Sequence, residues 1–186
     1  MSKIDLYCAD AIKKMKELIA EGRKVDAVII DPPYGQTPLN WDSLLPFNEL
    51  WECIEQLKRD NTTPVLIFGQ EPFCTLVRMS NFDSYKYDWY WKKERLTNVF
   101  QVKRRPGKVI ENIMVFYDEQ CTYNPQKTVH TGPKRTNKIG NNAKFSVTQS
   151  GQSVVKPVEY NDDGTRYPIQ ILEVQRDSMY DVKYHP

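Results

Sequence analysis

Residues 31–34 read Asp31-Pro32-Pro33-Tyr34, a grouping whose residue types and spacing specify a chemistry. Asp31 brings a carboxylate, Pro32 a backbone carbonyl whose direction is limited by the proline after it, and Tyr34 an aromatic face with a phenol. Two acceptors side by side suit an aromatic amine. The exocyclic amino group of adenine is a poor nucleophile because its lone pair is delocalised into the ring. Acceptors on both of its hydrogens localise that pair and stabilise the positive charge that grows on nitrogen as it attacks an electrophilic methyl. Tyr34 can stack on the base after it has been rotated out of a duplex, since the amino group is out of reach within the stack. No covalent intermediate on the protein is needed. The plainer reading of the same residues is an Asp-initiated turn with a packing tyrosine.

Other reactive side chains are scattered. Cys8, Cys53, Cys74 and Cys121 lie far apart without a C-x-x-C pair, and His130 and His185 are too few to complete a zinc site, so no metal is expected and the cysteines read as reduced thiols. Charge is unevenly spread. Residues 1–91 carry 10 basic and 14 acidic groups, residues 92–158 carry 13 and 4, and residues 159–186 carry 3 and 6, giving −4, +9 and −3. A basic middle between acidic flanks is the asymmetry expected where a polyanion binds one face, the alternative being a solvated loop. Within it, Lys103-Arg104-Arg105-Pro106-Gly107-Lys108 is a turn loaded with positive charge. From Gln120 to Val158 there is no acidic residue, while Lys127, Lys134, Arg135, Lys138, Lys144 and Lys156 lie among Asn, Gln and Thr, residues that can read base edges.

The elements that must position these groups follow from periodicity. Residues 25–30, Val-Asp-Ala-Val-Ile-Ile, read as a buried central strand, and the double proline forces the chain out of the sheet at Asp31, at the carboxyl end where open α/β sheets keep ligands. Before it, residues 4–8 suggest a short strand, and Ile12, Met15, Leu18 and Ile19 share one face of a helix capped by Asp10 and ended by Gly22. After it comes a loop from Gly35 to Asp42 carrying Trp41. Phe47, Leu50, Trp51, Ile54 and Leu57 then mark a helix over residues 46–59. Residues 64–68 read as a buried strand, Phe73, Leu76 and Val77 as a third helix, and the aromatic stretch 85–91 as a core strand. A strand at 112–117 makes a hairpin with 85–91, its basic tip projecting from the sheet. The segment 120–158 reads as an irregular excursion, and 169–174 resumes a strand.

With 186 residues, 40% apolar and 12% aromatic, the chain is long enough for one domain with a single core. No apolar run approaches a membrane span, and the start at Ser2-Lys3-Ile4-Asp5 shows no signal-peptide pattern, so a cytoplasmic protein is expected.

Asp31-Pro32-Pro33-Tyr34-Gly35, followed by Trp41-Asp42, resembles the catalytic motif of DNA amino-methyltransferases that act on adenine. Residues 112–117, Tyr123-Asn124-Pro125-Gln126 and Arg166-Tyr167-Pro168 are similar to segments of the branch whose catalytic motif comes first, with target recognition next and the cofactor motif last. The resemblance covers nearly the whole chain, most closely at residues 25–42. It implies a Rossmann-like α/β methyltransferase sheet with helices on both faces, S-adenosylmethionine as methyl donor and duplex DNA as substrate. It also implies catalytic roles for Asp31, Pro32, Pro33 and Tyr34 and cofactor contacts at Asp10 and Asp31; beside such a motif the positive charge of the basic segments reads as DNA contacts at Lys103, Arg104, Arg105, Lys108, Lys134, Arg135 and Lys138. Residues 1–119 would be the catalytic part, 120–168 a basic recognition segment, and 169–186 the return strand and the start of the cofactor-side half.

In that branch a His-Pro-Thr-Gln-Lys-Pro segment leads to a glycine-rich cofactor motif. Here the sequence reads His185-Pro186 at its end, and none of the eight glycines forms a G-x-G, so the expected fold is incomplete at the C-terminus, with a separate chain as one source of the glycine-rich motif. The resemblance implies a bacterial or phage-infected cell, with restriction-modification as one setting. Two alternatives are a non-catalytic DNA-binding remnant and an enzyme acting on the amino group of cytosine, where Ser more often stands at the Asp31 position. Ring-carbon methylation of cytosine needs a Pro-Cys nucleophile, and no cysteine here follows a proline.

Overall fold

The computed structural model describes residues 3–132 and 163–174. The chain divides into two compact units, one formed by Met1–Tyr123 with Gln170–Pro186 and the other by Asn124–Ile169.

The first unit begins with helix α1, Ala11–Ala20. Asp10 caps it by accepting the Lys13 N–H at 2.9 Å, and Gly22, at φ 71°, turns the chain away after it. Strand β1, Val28–Ile30, leads into Asp31, and helix α2, Phe47–Leu57, follows the loop. Strand β2, Val65–Gly69, is followed by helix α3, Phe73–Ser80. Gly69 is needed at this junction, since a Cβ there would lie 2.8 Å from Phe73 Cδ1. Strands β3, Tyr85–Lys92, and β4, Ile110–Phe116, form the expected antiparallel hairpin.

Among the described residues the five-stranded mixed sheet of this unit has the order β1-β2-β4-β3-β7, where β7 is Ile171–Glu173. β1 runs parallel to β2, β7 runs parallel to β3, and β4 is antiparallel to both of its neighbours. The strand read at 169–174 is therefore an edge strand beside β3, joined by the Tyr90 N–H to the Gln170 carbonyl at 2.8 Å.

Register shows where the core lies. Val65 pairs with Phe116 and Ile67 with Met114, so these four share one face of the sheet. They are buried against Ile12 of α1, Leu50, Cys53 and Ile54 of α2, and Phe73, Cys74 and Val77 of α3. All three helices thus cover the same face. Helices on both faces were expected; among the described residues the opposite face carries none. The fold is α/β, as the alternation of strand and helix predicts, and the antiparallel β4 makes its sheet mixed.

Two further expectations are corrected. The run 25–30 is not a buried central strand: only 28–30 form β1, β2 is its one neighbour among the described residues, and Ile29 is 68% exposed. Val25 instead makes a single parallel bridge to Lys58. The strand expected at 4–8 does not form. A strand is stable only beside another, and here Ile4 and Leu6 are exposed while Asp5 pairs with Lys3 at 3.2 Å and Arg23 at 3.6 Å.

A buried polar network fastens the hairpin to α3. Asp88 of β3, 2% exposed, takes Arg78 at 2.5 Å, Asn112 Nδ2 at 2.8 Å and the Tyr85 hydroxyl at 3.1 Å. Arg78 also pairs with Glu71 at 2.7 Å, and these two carboxylates raise its already high pKa against the opposing effect of burial.

The second unit is described at 124–132 and 163–169. Strands β5, Thr128–Val129, and β6, Thr165–Arg166, pair antiparallel, so the excursion is not wholly irregular. Lys127 is held by Asp163 at 3.3 Å, and its ammonium lies 4.5 Å over the Tyr167 ring.

Candidate active site

Because β1 and β2 are parallel, their carboxyl ends open on one edge of the sheet, with Asp31 following the first and Gln70 the second. A crevice of about 560 Å³ lies there, lined by Asp31, Pro32, Pro33, Tyr34, Gln36, Thr37, Trp41, Asp42, Gln70, Lys93 and Glu111. Its size is that of a small-molecule site. All four residues of the Asp-Pro-Pro-Tyr stretch meet at it. Pro32 is buried, and the Asp31 side chain is at the surface.

The loop after Tyr34 is folded around Asp42. Its carboxylate accepts the N–H groups of Gly35 at 2.7 Å, Gln36 at 2.9 Å and Thr37 at 2.6 Å. The Thr37 side chain, and then these N–H groups, hold the carboxyl at a pKa of about 2. Gly35 has φ 65°, and a Cβ there would come within 3.1 Å of Leu44 Cγ, so both backbone and space require glycine. Gln36 ties the loop to the end of β2 by donating to the Gln70 carbonyl at 3.3 Å. The result is a stapled loop that presents Trp41, 67% exposed, at the crevice.

Tyr34 is the best-fixed member. Its ring stacks on Phe73 of α3, centroids 5.0 Å apart and planes 28° from parallel. Its hydroxyl oxygen lies 2.9 Å from Asp31 Oδ1 and 2.9 Å from Glu111 Oε1. A phenol has one proton and can donate to only one of these carboxylates at a time. Burial, then the charge and hydrogen bond of Glu111, then Asp31, push its pKa far up, so it stays a donor. Glu111, at 4% exposure, is in turn paired with Lys93 Nζ, which also sits 4.8 Å over the Trp91 ring.

One face of the Tyr34 ring is thus covered by Phe73, and its hydroxyl is within reach of two carboxylates, one of which it bonds at a time. An exposed carboxylate beside it can accept hydrogens from a flat ligand. Among the described residues no cysteine or histidine lines the crevice. Cys74, beneath it in the core, has its thiol pushed up to about 12 by burial, which removes it as a nucleophile.

The other predicted residues lie elsewhere. Asp10 is committed to the α1 cap. Lys103, Arg104 and Arg105 are exposed on the β3–β4 connection, and Lys108, partly buried, closes that connection through its N–H to Asn98 Oδ1 at 2.6 Å. Lys134, Arg135 and Lys138 lie outside the described residues. Sequence reasoning missed Glu111, Lys93 and Gln70 as site residues. One signal was available for Glu111: it is the only acidic residue between Glu94 and Asp118, set at the head of an apolar strand.

No protein-family model matches this chain, and no curated protein matches it. Among solved structures it is similar to the crystal structure of the M1.HpyAVI–SAM complex, with 20% identity over 70% of this chain and 62% of that one, at a TM-score of 0.48. It is likewise similar to the crystal structure of M1.HpyAVI, with 20% identity over 68% and 59% of the two chains, at a TM-score of 0.46. The chain spans about three-fifths of the length of these neighbours.

Proposed function

We propose that this chain is the base-holding part of an S-adenosylmethionine-dependent DNA methyltransferase acting on the exocyclic amino group of adenine in duplex DNA. The observation that carries the reading is an exposed Asp31 carboxylate at a strand end, beside a Tyr34 ring fixed on one face by Phe73 and at its hydroxyl by Glu111. A flipped adenine stacks on the free face of Tyr34. Its amino hydrogens are taken by the Asp31 carboxylate and the Pro32 carbonyl, and Asp31 accepts the proton that the alkylated nitrogen sheds. The Tyr34 hydroxyl, turned to Glu111, leaves Asp31 free to accept from the base.

When bound, S-adenosylmethionine supplies an electrophilic methyl group carried on sulfur. Of the two carboxylates that the resemblance links to it, Asp31 fits, being exposed in the crevice, whereas Asp10 is already occupied as a helix cap. Among the described residues β1 has a strand on one side only, and to its other side we assign the glycine-rich segment, carried by this polypeptide or by a separate chain. Lys103, Arg104, Arg105 and Lys108, with Lys134, Arg135 and Lys138, supply phosphate contacts.

The test is Asp31→Ala in the protein together with whatever partner gives it activity. Methyl transfer to a duplex is expected to fall at least about a hundredfold, as when one preorganised group of an active site is removed, while DNA affinity stays within about twofold, since phosphate contacts supply most of the binding. Retained turnover refutes the role of Asp31.

A further inference from the structure

The connection between β3 and β4 is braced across its width. The Lys93 N–H donates to the Val109 carbonyl at 2.7 Å and the Thr97 N–H to the Lys108 carbonyl at 2.9 Å. Asn98 Nδ2 donates to the Pro106 carbonyl at 3.0 Å, its Oδ1 accepts the Lys108 N–H at 2.6 Å, and the Arg105 guanidinium bonds the Gln101 side chain. On this frame the single 3₁₀ turn Val99–Gln101 raises Phe100 into solvent, 103% exposed, with Val99 and Val102 exposed beside it.

A slack loop would fold such a ring against its neighbours; this one is held so that it does not. The setting is strongly charged: from Arg95 to Lys108 there are five cations and no acidic residue. Lys103 and Arg104 have no ion-pair or hydrogen-bond partner for their side chains among the described residues. A lone apolar ring among free cations fits a partner that is apolar within and anionic outside, and a base stack between two rows of phosphates is that partner. A bilayer would be matched by a broader apolar face than one phenyl ring and two valines.

The position of the tip agrees. The base of this hairpin supplies Lys93 and Glu111 to the Asp31 crevice. Phe100 is seven residues beyond Lys93, so it stands at most about 25 Å away along an extended chain, or about seven base pairs at 3.4 Å each. One duplex can reach both.

We infer that Phe100 is a wedge that enters the base stack of duplex DNA beside the target, seated by Lys103 and Arg104 on the flanking phosphates, and so lowers the cost of unstacking. The inference rests on the DNA-binding reading above and adds to it a residue and a mode of contact.

The test uses the full chain with a set of duplexes in which 2-aminopurine, whose fluorescence rises on unstacking, is scanned along the sequence. Wild-type protein is expected to raise the signal at least about twofold at a position next to the wedge. Phe100→Ala is expected to abolish that rise and Phe100→Trp to retain it, with salt-dependent binding kept in both. Lys103→Ala with Arg104→Ala is expected to flatten the slope of log affinity against log salt by about two. A rise that persists in Phe100→Ala overturns the wedge and leaves the DNA reading standing. Absence of any salt-dependent binding by wild type overturns the DNA reading itself. Phe100-dependent binding to phosphatidylserine vesicles, without the 2-aminopurine response, assigns the tip to a membrane and overturns the inference.

Discussion

The contact between Tyr34 and Glu111 can be measured without substrate, through a double-mutant cycle on stability. Tyr34→Phe removes one hydroxyl and keeps the stack on Phe73. A hydrogen bond to a charged group contributes about 1.5–3 kcal/mol, and with Tyr34 only half-buried the lower end applies, about 1.5 kcal/mol. Glu111→Gln weakens the same contact and also strips Lys93 of its counter-charge. Breaking a buried pair from one side costs about 3–5 kcal/mol, reduced here to about 2 kcal/mol because the Lys93 side chain reaches solvent. If the hydroxyl is held by Glu111, the double variant loses less than the two singles together, by about 1 kcal/mol. Urea unfolding of the full chain, followed by circular dichroism, resolves this: at a slope of about 2 kcal/mol per molar, the shortfall is about 0.5 M in midpoint. Costs that add to within about 0.3 kcal/mol mean that the hydroxyl is not on Glu111 but is turned to Asp31, its other acceptor at 2.9 Å.

Two further outcomes are expected. Asp88→Ala leaves the partly buried Arg78 with Glu71 alone and releases Asn112 and Tyr85, so a loss of about 3 kcal/mol, the low end for breaking a buried pair, is expected in thermal or urea unfolding, a large share of a domain's usual 5–15 kcal/mol or so; a loss under about 1 kcal/mol would show that the network does not fasten the hairpin. Asp42 is held at about 2 against its ordinary value of 3.8, so its contribution is fully present above about pH 4 and is lost as pH falls from there toward 2. Amide exchange at Gly35, Gln36 and Thr37 should report that loss in wild type, while Asp42→Asn shows weak protection at every pH; protection in wild type that is flat across the window would refute the staple.

What the sequence made legible was local. The helical spacing of Phe47, Leu50, Ile54 and Leu57, the cap at Asp10, the turn at Gly22 and the two arms of the hairpin all depend on residues within a few positions of each other, and each is found in the structure. The apolar run ending at Ile30 stated that a strand precedes Asp31, but not what lies beside it. Whether a strand is central or at an edge is decided by neighbours elsewhere in the chain, and here Ile29 is left facing out. The same limit hid Glu111, which meets Tyr34 from 77 positions away. A lone acidic residue on an apolar strand has no periodicity to announce it. Lys93 was hidden in a different way, as one of many cations in a basic stretch, set apart only by where the β3–β4 hairpin ends.

That β1 has a strand on one side only among the described residues also bears on how the protein behaves in solution. An unpaired strand edge is a template for other chains, and Ile29 adds an apolar side chain to it. Yet this edge is only three residues long, with Asp26 two positions before it and Asp31 directly after it, and both carboxylates are at the surface. A short edge flanked by charged groups, the Asp26–Arg59 pair at 2.7 Å before it and Asp31 after it, admits one brief, well-placed strand and discourages the stacking of many. The expected hazard for the isolated chain is therefore a limited, concentration-dependent association that a fitting strand would suppress, rather than growth into fibres.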